Sequence, residues 1–211
     1  IRQGNVCLMR LDQFSVDCEG WKAYYAGGHM PNDTVGKVYS TLMAFNEDST
    51  IQTVILDLTC NQGGDECALQ AILSLMTGDC SLEGIDTLTG ETFREMIAVD
   101  RNMDGVINEK DPAVSWNLHF GLITSNQSFS CANLLAALCR TQGIPICGQQ
   151  SGGGSCNLQY LALADGLCIQ MSSRHKMTVD NGVDIDGGVQ VDLASTDATE
   201  ILSWFHQHST P

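Results

Sequence analysis

Twice in this chain a short apolar run stops at a turn of small residues and is followed at once by an apolar stretch with helical spacing. The first run is Ile51-Gln52-Thr53-Val54-Ile55-Leu56-Asp57-Leu58, the turn is Cys60-Asn61-Gln62-Gly63-Gly64, and the helical stretch carries Ala68, Leu69, Ile72, Leu73 and Leu75. The second runs from a strand over 118–124 into a helix over 130–139 and on to a further strand over 144–147. Strand, turn and helix in this order is the grammar of βαβ units and predicts a parallel sheet carrying helices. The run Val54-Ile55-Leu56 does not alternate with polar residues, which is the pattern of a strand covered on both faces. A strand is also expected over 5–14. A helix is expected over 34–45 from Val35, Val38, Leu42 and Phe45. A hairpin over 160–163 and 167–171 should turn at Asp165-Gly166, and a closing helix is expected over 197–206. These elements predict one α/β domain spanning residues 1–211, with residues 80–115 inserted into it.

Charge narrows the functions open to such a domain. The chain has 25 acidic residues against 10 basic ones, a net charge of −15 that repels a phosphate backbone and argues against nucleic acid as a partner. No window holds the roughly 18 to 20 consecutive apolar residues of a bilayer crossing, so no membrane span is expected. The sequence begins at Ile1 rather than Met, from which a longer product is expected. Ten cysteines would allow five bridges, yet no CxxC occurs and most sit in apolar runs such as Val6-Cys7-Leu8. Cysteine behaves there as a small buried hydrophobe, and mostly free thiols are expected.

Within 80–115 lies Asp100-Arg101-Asn102-Met103-Asp104-Gly105-Val106-Ile107-Asn108-Glu109-Lys110-Asp111. Oxygen-bearing residues at its first, third, fifth, ninth and twelfth places, with glycine at the sixth, follow the twelve-residue calcium-loop plan of EF-hand and dockerin-like loops. Asp100, Asn102, Asp104, Asn108 and Asp111 would supply side chains and Val106 its carbonyl. Asp111 stands where the longer bidentate Glu is usual. A structural Ca²⁺ is therefore expected, and no organic cofactor. The competing reading is an acidic turn.

The turns resemble those of the S41 peptidases, the tail-specific and tricorn-like serine proteases. The family's D-L-R-x-N-x-G-G motif is similar to Asp57-Leu58-Thr59-Cys60-Asn61-Gln62-Gly63-Gly64, and its S-A-S-A-x-E to Ser128-Phe129-Ser130-Cys131-Ala132-Asn133. A V-V-G-E-x-T-x-G turn resembles residues 146–153, and a G-V-x-P-D signature resembles Gly188-Val189-Gln190-Val191-Asp192. Among family members the combination looks most like bacterial ones of Firmicutes type. The resemblance implies a ClpP/crotonase-like fold. It also implies a serine endopeptidase that cuts polypeptide substrates through an acyl-enzyme at Ser130.

The backbone N–H of Cys131 and one from Gly63 or Gly64 would form the oxyanion hole. On local sequence alone, Ser128 or Ser130 would equally serve to cap the following helix. Activation of the serine is the gap in the resemblance. Where one branch of the family has a lysine this chain has Gly154. The other branch takes a histidine from upstream, which places the base before Ile1, together with a late acid for which Asp186 or Asp184 is nearest. His119 reads as a sheet residue, His206 and His208 as solvated, and His29 and His175 as minor candidates. Cys131 reads as an apolar neighbour rather than a nucleophile.

Two further readings stand beside the peptidase: a catalytically silent, calcium-stabilised module that binds peptides or partners, and a crotonase-type acyl-CoA enzyme sharing the oxyanion logic. The second leaves residues 128–133 unexplained. An acidic surface with a calcium loop suits a secreted or cell-envelope protein. Oligomeric state is not encoded in any pattern recognised.

Overall fold

The computed structural model describes residues 1–108, 111 and 116–208. In chain order the elements are β1 (Arg2–Gln3), β2 (Val6–Arg10), α1 (Cys18–Tyr25), α2 (Thr34–Glu47), β3 (Thr53–Asp57), α3 (Glu66–Thr77), β4 (Leu82–Asp86) and β5 (Thr92–Glu95). They continue with β6 (His119–Thr124), α4 (Cys131–Thr141), β7 (Ile146–Gly148), β8 (Cys156–Ala162), β9 (Cys168–Val179), β10 (Val183–Asp184), β11 (Leu193–Ala194) and α5 (Ala198–His208). The fold is mixed α/β, with one largely parallel and one antiparallel sheet.

The first sheet has the order β1-β2-β3-β6-β7-β11, and every pairing but β1 with β2 is parallel. Its central strands show why the apolar run does not alternate. Cys7, Val54, Leu56, Leu122 and Ile146 join the core under α2, α3 and α4, whereas Val6, Ile55, Ile123 and Cys147 pack with Ile201 and Phe205 of α5. Successive side chains of a strand point to opposite faces, so a sheet clad on both needs apolar residues at every position. Gly121 makes room for α5: a Cβ there would lie 2.2 Å from the ring of Phe205.

The second sheet is antiparallel, in the order β10-β9-β4-β5 with β8 also on β9. Leu82, Met177 and Val179 tie it to the helix side of the core. The stretch expected as an insertion thus supplies a hairpin, β4 with β5, to this sheet, while its residues 109, 110 and 112–115 lie outside the described ones. Among the described residues no helix is long and apolar enough to cross a membrane. All ten cysteines are free thiols.

Two expectations need correction, and one helix goes beyond them. The strand expected over 5–14 ends at Arg10, after which Leu11 N–H donates to the Asp57 carbonyl and Phe14 bridges Gly64, so the chain bends to hold the glycine turn. The expected hairpin is longer, because the polar half of β9, Ser172-Ser173-Arg174-His175-Lys176, carries no apolar alternation to mark it. Helix α1 was not expected, since it is short, none of its residues is fully buried and Trp21 packs only partly against the core; its Asp17 cap and the bond from Trp21 Nε1 to Asp33 (2.7 Å) hold it.

Candidate active site

The glycine turn after β3 is built around Asn61, which is fully buried. Its Nδ2 donates to the Leu11 carbonyl (2.9 Å), and its Oδ1 accepts the N–H of Gly63 (2.8 Å). Gly63 has φ +105°, and a Cβ on it would lie 2.7 Å from Cβ of Ser130. Gly64 has φ +139°, and a Cβ on it would lie 2.0 Å from the Phe14 carbonyl oxygen. Only glycine fits either place. Asn61 occupies the Gly63 N–H, while that of Gly64, like those of Cys60 and Gln62, has no partner among the described residues.

Across this turn stands Ser130, at the start of α4. Its φ of 55° and ψ of −122° are a conformation that a residue with a side chain rarely adopts, at a cost of about 1–3 kcal/mol. Its N–H donates to the Gly153 carbonyl (3.0 Å) and its carbonyl accepts the N–H of Leu134 (2.9 Å), so both sides of the strained residue are pinned. The capping alternative fails, because Ser130 occupies the N-cap position with no side-chain bond to the helix. Ser128 does not cap it either: its hydroxyl donates to the Leu58 carbonyl (2.7 Å) and accepts the N–H of Ser125 (2.9 Å). The N–H of Cys131 has no partner among the described residues, so it and the Gly64 N–H remain open beside Ser130.

A small crevice at this point is lined by Glu66, Ser130, Cys131, Leu134, Ser155 and Met177, among others. Burial, aided by the charge of Glu66, pushes the Cys131 thiol up to about 12, so it stays protonated and unreactive at neutral pH. Burial, with Glu95 and Asp65 nearby, also holds the Glu66 carboxyl above its ordinary range. Behind Ser155 lies Asp186, whose Oδ1 accepts both the N–H (3.0 Å) and the hydroxyl (2.9 Å) of Ser155. The Ser155 hydroxyl bond, joined by the charge of Lys176, holds the Asp186 carboxyl below its ordinary range. Lys176 itself bonds Asp184 (2.9 Å) and pairs with Asp186 (3.4 Å), and the first of these holds its ammonium above the usual value. It is a charged tether, not a free base. Asp186 and Asp184 therefore meet each other at Lys176, and Asp186 reaches the crevice through Ser155.

Gly154, where the related branch has lysine, has φ +82°, and a Cβ there would lie 2.4 Å from the ring of Phe129. The aromatic ring occupies that space. None of the described histidines hydrogen-bonds Ser130. His175 faces Asp86 (3.9 Å) and the ring of Phe93, His206 bonds Asn5, His208 stacks on Trp204, His119 begins β6 and His29 is exposed. Sequence reasoning missed Glu66, Ser155, Lys176 and Phe129. Phe129 lies in the 128–133 motif but had no role assigned, the other three lie outside the motifs, and only the pairing of β9 with β4 and β8 brings Lys176 and Met177 alongside.

The acidic loop closes on itself. Carboxylate oxygens of Asp100, Asp104 and Asp111 lie within 4.8 Å of one another. Asp100 is buried and accepts the N–H groups of Asp104 (3.2 Å) and Gly105 (2.9 Å). Asn102 Oδ1 accepts the Asp104 N–H (3.1 Å), Asn108 N–H donates to Asp111 (3.1 Å), and the Val106 carbonyl accepts from Asn108 (3.2 Å). The other oxygen of Asp111, Oδ1, is buried without a partner. All six residues named from the sequence thus lie in one turn, around a carboxylate set that is hard and oxygen-only.

A strained serine at an uncapped helix start, facing a glycine turn with an open N–H, can present a hydroxyl for attack on a carbonyl and receive the resulting oxyanion. Residues 5–195 match Peptidase family S41, and the chain belongs to that family. It is similar in fold to a lipoprotein from Streptococcus agalactiae, with 16% identity and a TM-score of 0.69 over 97% of this chain and 67% of that one. It is also similar to the photosystem II D1 C-terminal processing protease, with 18% identity and a TM-score of 0.59 over 90% of this chain and 42% of that one. Mature CPAF complexed with lactacystin gives 15% identity and a TM-score of 0.60 over 90% of this chain and 47% of that one. The chain therefore spans less than half the length of the two named proteases. A search of curated proteins found no match.

Proposed function

We propose that this chain is the catalytic core of a serine endopeptidase that cleaves polypeptides through an acyl-enzyme on Ser130. The observation that carries the reading is the backbone of Ser130, held at φ 55° with no capping bond beside the open N–H groups of Cys131 and Gly64. A strained, uncapped serine has no stabilising purpose in a helix start, and its persistence points to use. In the proposed reaction the Ser130 oxygen attacks the scissile carbonyl carbon while its proton passes to a general base. The carbonyl oxygen becomes an oxyanion held by the N–H groups of Cys131 and Gly64, with Gly63 allowing the close approach. The amine leaves as it takes up that proton, and water then resolves the ester by the same path. We place the base in a segment outside these 211 residues, since no described histidine or free lysine meets Ser130. Asp186 is assigned a positioning role through Ser155 and not direct contact. The ClpP/crotonase-like assignment fits the layered βαβ core.

The acidic loop is proposed to hold one Ca²⁺ through Asp100, Asn102, Asp104, the Val106 carbonyl, Asn108 and Asp111. Support comes from the converging carboxylates and from the unpartnered Asp111 Oδ1. The ion would offset the converging carboxylates of Asp100, Asp104 and Asp111 and so rigidify the turn. Such a site favours a secreted or cell-envelope location, where Ca²⁺ is plentiful.

The test is a fluorophosphonate probe on the full-length protein, read by intact mass and peptide mapping. Labelling at Ser130, lost in Ser130→Ala, is expected. Labelling elsewhere refutes the assignment, and none at all, with no cleavage of casein or peptide pools, replaces the reading with that of a non-catalytic peptide-binding module.

A further inference from the structure

The crevice that Ser130 shares with Glu66 carries information about the substrate, and this inference rests on Ser130 being the nucleophile. Glu66 is the charged side chain of that crevice, half-buried in the first turn of α3, and it makes no hydrogen bond or ion pair with any described residue. Its electrostatic surroundings are of its own sign, from Asp65 beside it and Glu95 of β5. The nearby cations are spent elsewhere: Lys176 on Asp184 and Asp186, and Arg94 on the Ser81 hydroxyl (2.9 Å). A half-buried carboxylate normally finds a partner, so one left bare beside a nucleophile is available to a charge brought in from outside. Leu134 and Met177 beneath it are buried, so what this place offers a substrate is the Glu66 carboxylate itself.

We infer that Glu66 is a specificity-determining residue that selects a polypeptide with a lysine or arginine side chain next to the scissile bond. The substrate's ammonium or guanidinium would pair with the Glu66 carboxylate. Neutral side chains of equal length would lack the pair. Acidic ones would meet the negative charges of Glu66, Asp65 and Glu95 together.

The experiment uses the full-length protein and fluorogenic peptides identical except for lysine, norleucine or glutamate, placed in turn on each side of the scissile bond. Wild type is expected to favour lysine over norleucine by about tenfold in kcat/KM at one of the two positions, expressed mainly in KM. Glu66→Gln should bring that ratio toward one, and Glu66→Lys should turn the preference toward glutamate. A wild-type ratio near one at both positions, or a ratio unchanged in Glu66→Gln, overturns the inference. So does an equal loss on lysine and norleucine peptides in Glu66→Gln, which would make Glu66 part of the proton transfer instead. Fluorophosphonate labelling of Ser130, run beside each variant, shows that the site is folded. Wild type that is neither labelled nor cleaves any peptide marks the failure of the nucleophile reading, and the specificity inference falls with it.

Discussion

Helices α3 and α4 leave neighbouring parallel strands, β3 and β6, and begin side by side, yet their first turns are built in opposite ways. At α3 the cap is Asp65, with φ −82°, whose carboxylate accepts the N–H groups of Cys67 (2.8 Å) and Ala68 (3.3 Å). Asp17 at α1 and Asp33 at α2 cap their helices in the same way, accepting from Gly20 and Gly36. At α4 the same position holds Ser130, at φ 55°, with no capping bond. A good cap contributes about 0.5–2 kcal/mol and an ordinary backbone costs nothing, so α4 forgoes what the four other helices take, α5 from Asp197. What it keeps is an N–H with no partner and the positive end of the helix dipole beside a hydroxyl. The starts of α1, α2, α3 and α5 each carry an aspartate cap, and that of α4 carries none.

The largest expected effect tests that division. Ser130→Ala should lower peptide hydrolysis by the full-length protein by about 10⁴-fold or more, the scale seen when a nucleophile is removed. Its thermal midpoint should stay level or rise, since no capping bond is lost. A drop in stability equal to that of losing a helix cap would show α4 to be an ordinary helix start and would break the comparison.

Next in size is Gly63→Ala. This glycine joins the two helix starts, and the new Cβ would meet Ser130 Cβ at 2.7 Å and the Phe129 carbonyl oxygen at 3.0 Å while φ stays at +105°. A loss on the order of 2–4 kcal/mol is expected in urea unfolding, with Ser130 labelling impaired as well. Unchanged stability would mean that the glycine turn and the serine are not packed as the geometry requires.

What was legible in the sequence follows the same line between regular and special structure. The two βαβ units could be read because Val54, Ile55 and Leu56 must each be apolar when both faces of β3 are covered. The positions of Gly63, Gly64 and Ser130 came from motif resemblance, but the strain at Ser130 did not, since no propensity encodes a serine at positive φ. Helix α1 was invisible because it is short and buries no residue fully, and the polar half of β9 because its residues pair without alternation. Glu66 and Lys176 reach the site by tertiary placement alone. In the loop over 100–111 the acidic spacing was legible within a single turn, and the carboxylates of Asp100, Asp104 and Asp111 do converge there.

That loop gives the third prediction. At a Ca²⁺ concentration one hundred times the dissociation constant the protein should gain about 2.7 kcal/mol, read as a rise in the unfolding midpoint, and Asp100→Asn should reduce the gain. Burial holds the Asp100 carboxyl above its ordinary range, so the native state keeps a proton that the unfolded chain releases. Without Ca²⁺, stability from this group is therefore present below the unfolded pKa of about 3.9 and is lost as pH rises through the raised native value. Calcium, which needs the carboxylate, should reverse that slope. A midpoint insensitive to millimolar Ca²⁺ at pH 7 would leave the loop an acidic turn.

The smallest effect is the control for all of these, Asp65→Ala at the start of α3. Two N–H groups lose their acceptor, so about 1 kcal/mol of stability should go, and Asp65→Asn, which can still accept, should restore most of it. Asp65 follows Gly64 directly, so its cap also fixes the direction in which the chain leaves the glycine turn. If α3 serves stability and α4 chemistry, the loss should appear in the urea midpoint while fluorophosphonate labelling of Ser130 in the folded fraction changes by less than about threefold. Labelling that falls in step with the removal of Ser130 would instead mean that both helix starts hold the oxyanion turn together, and that the cap on α3 is part of the site.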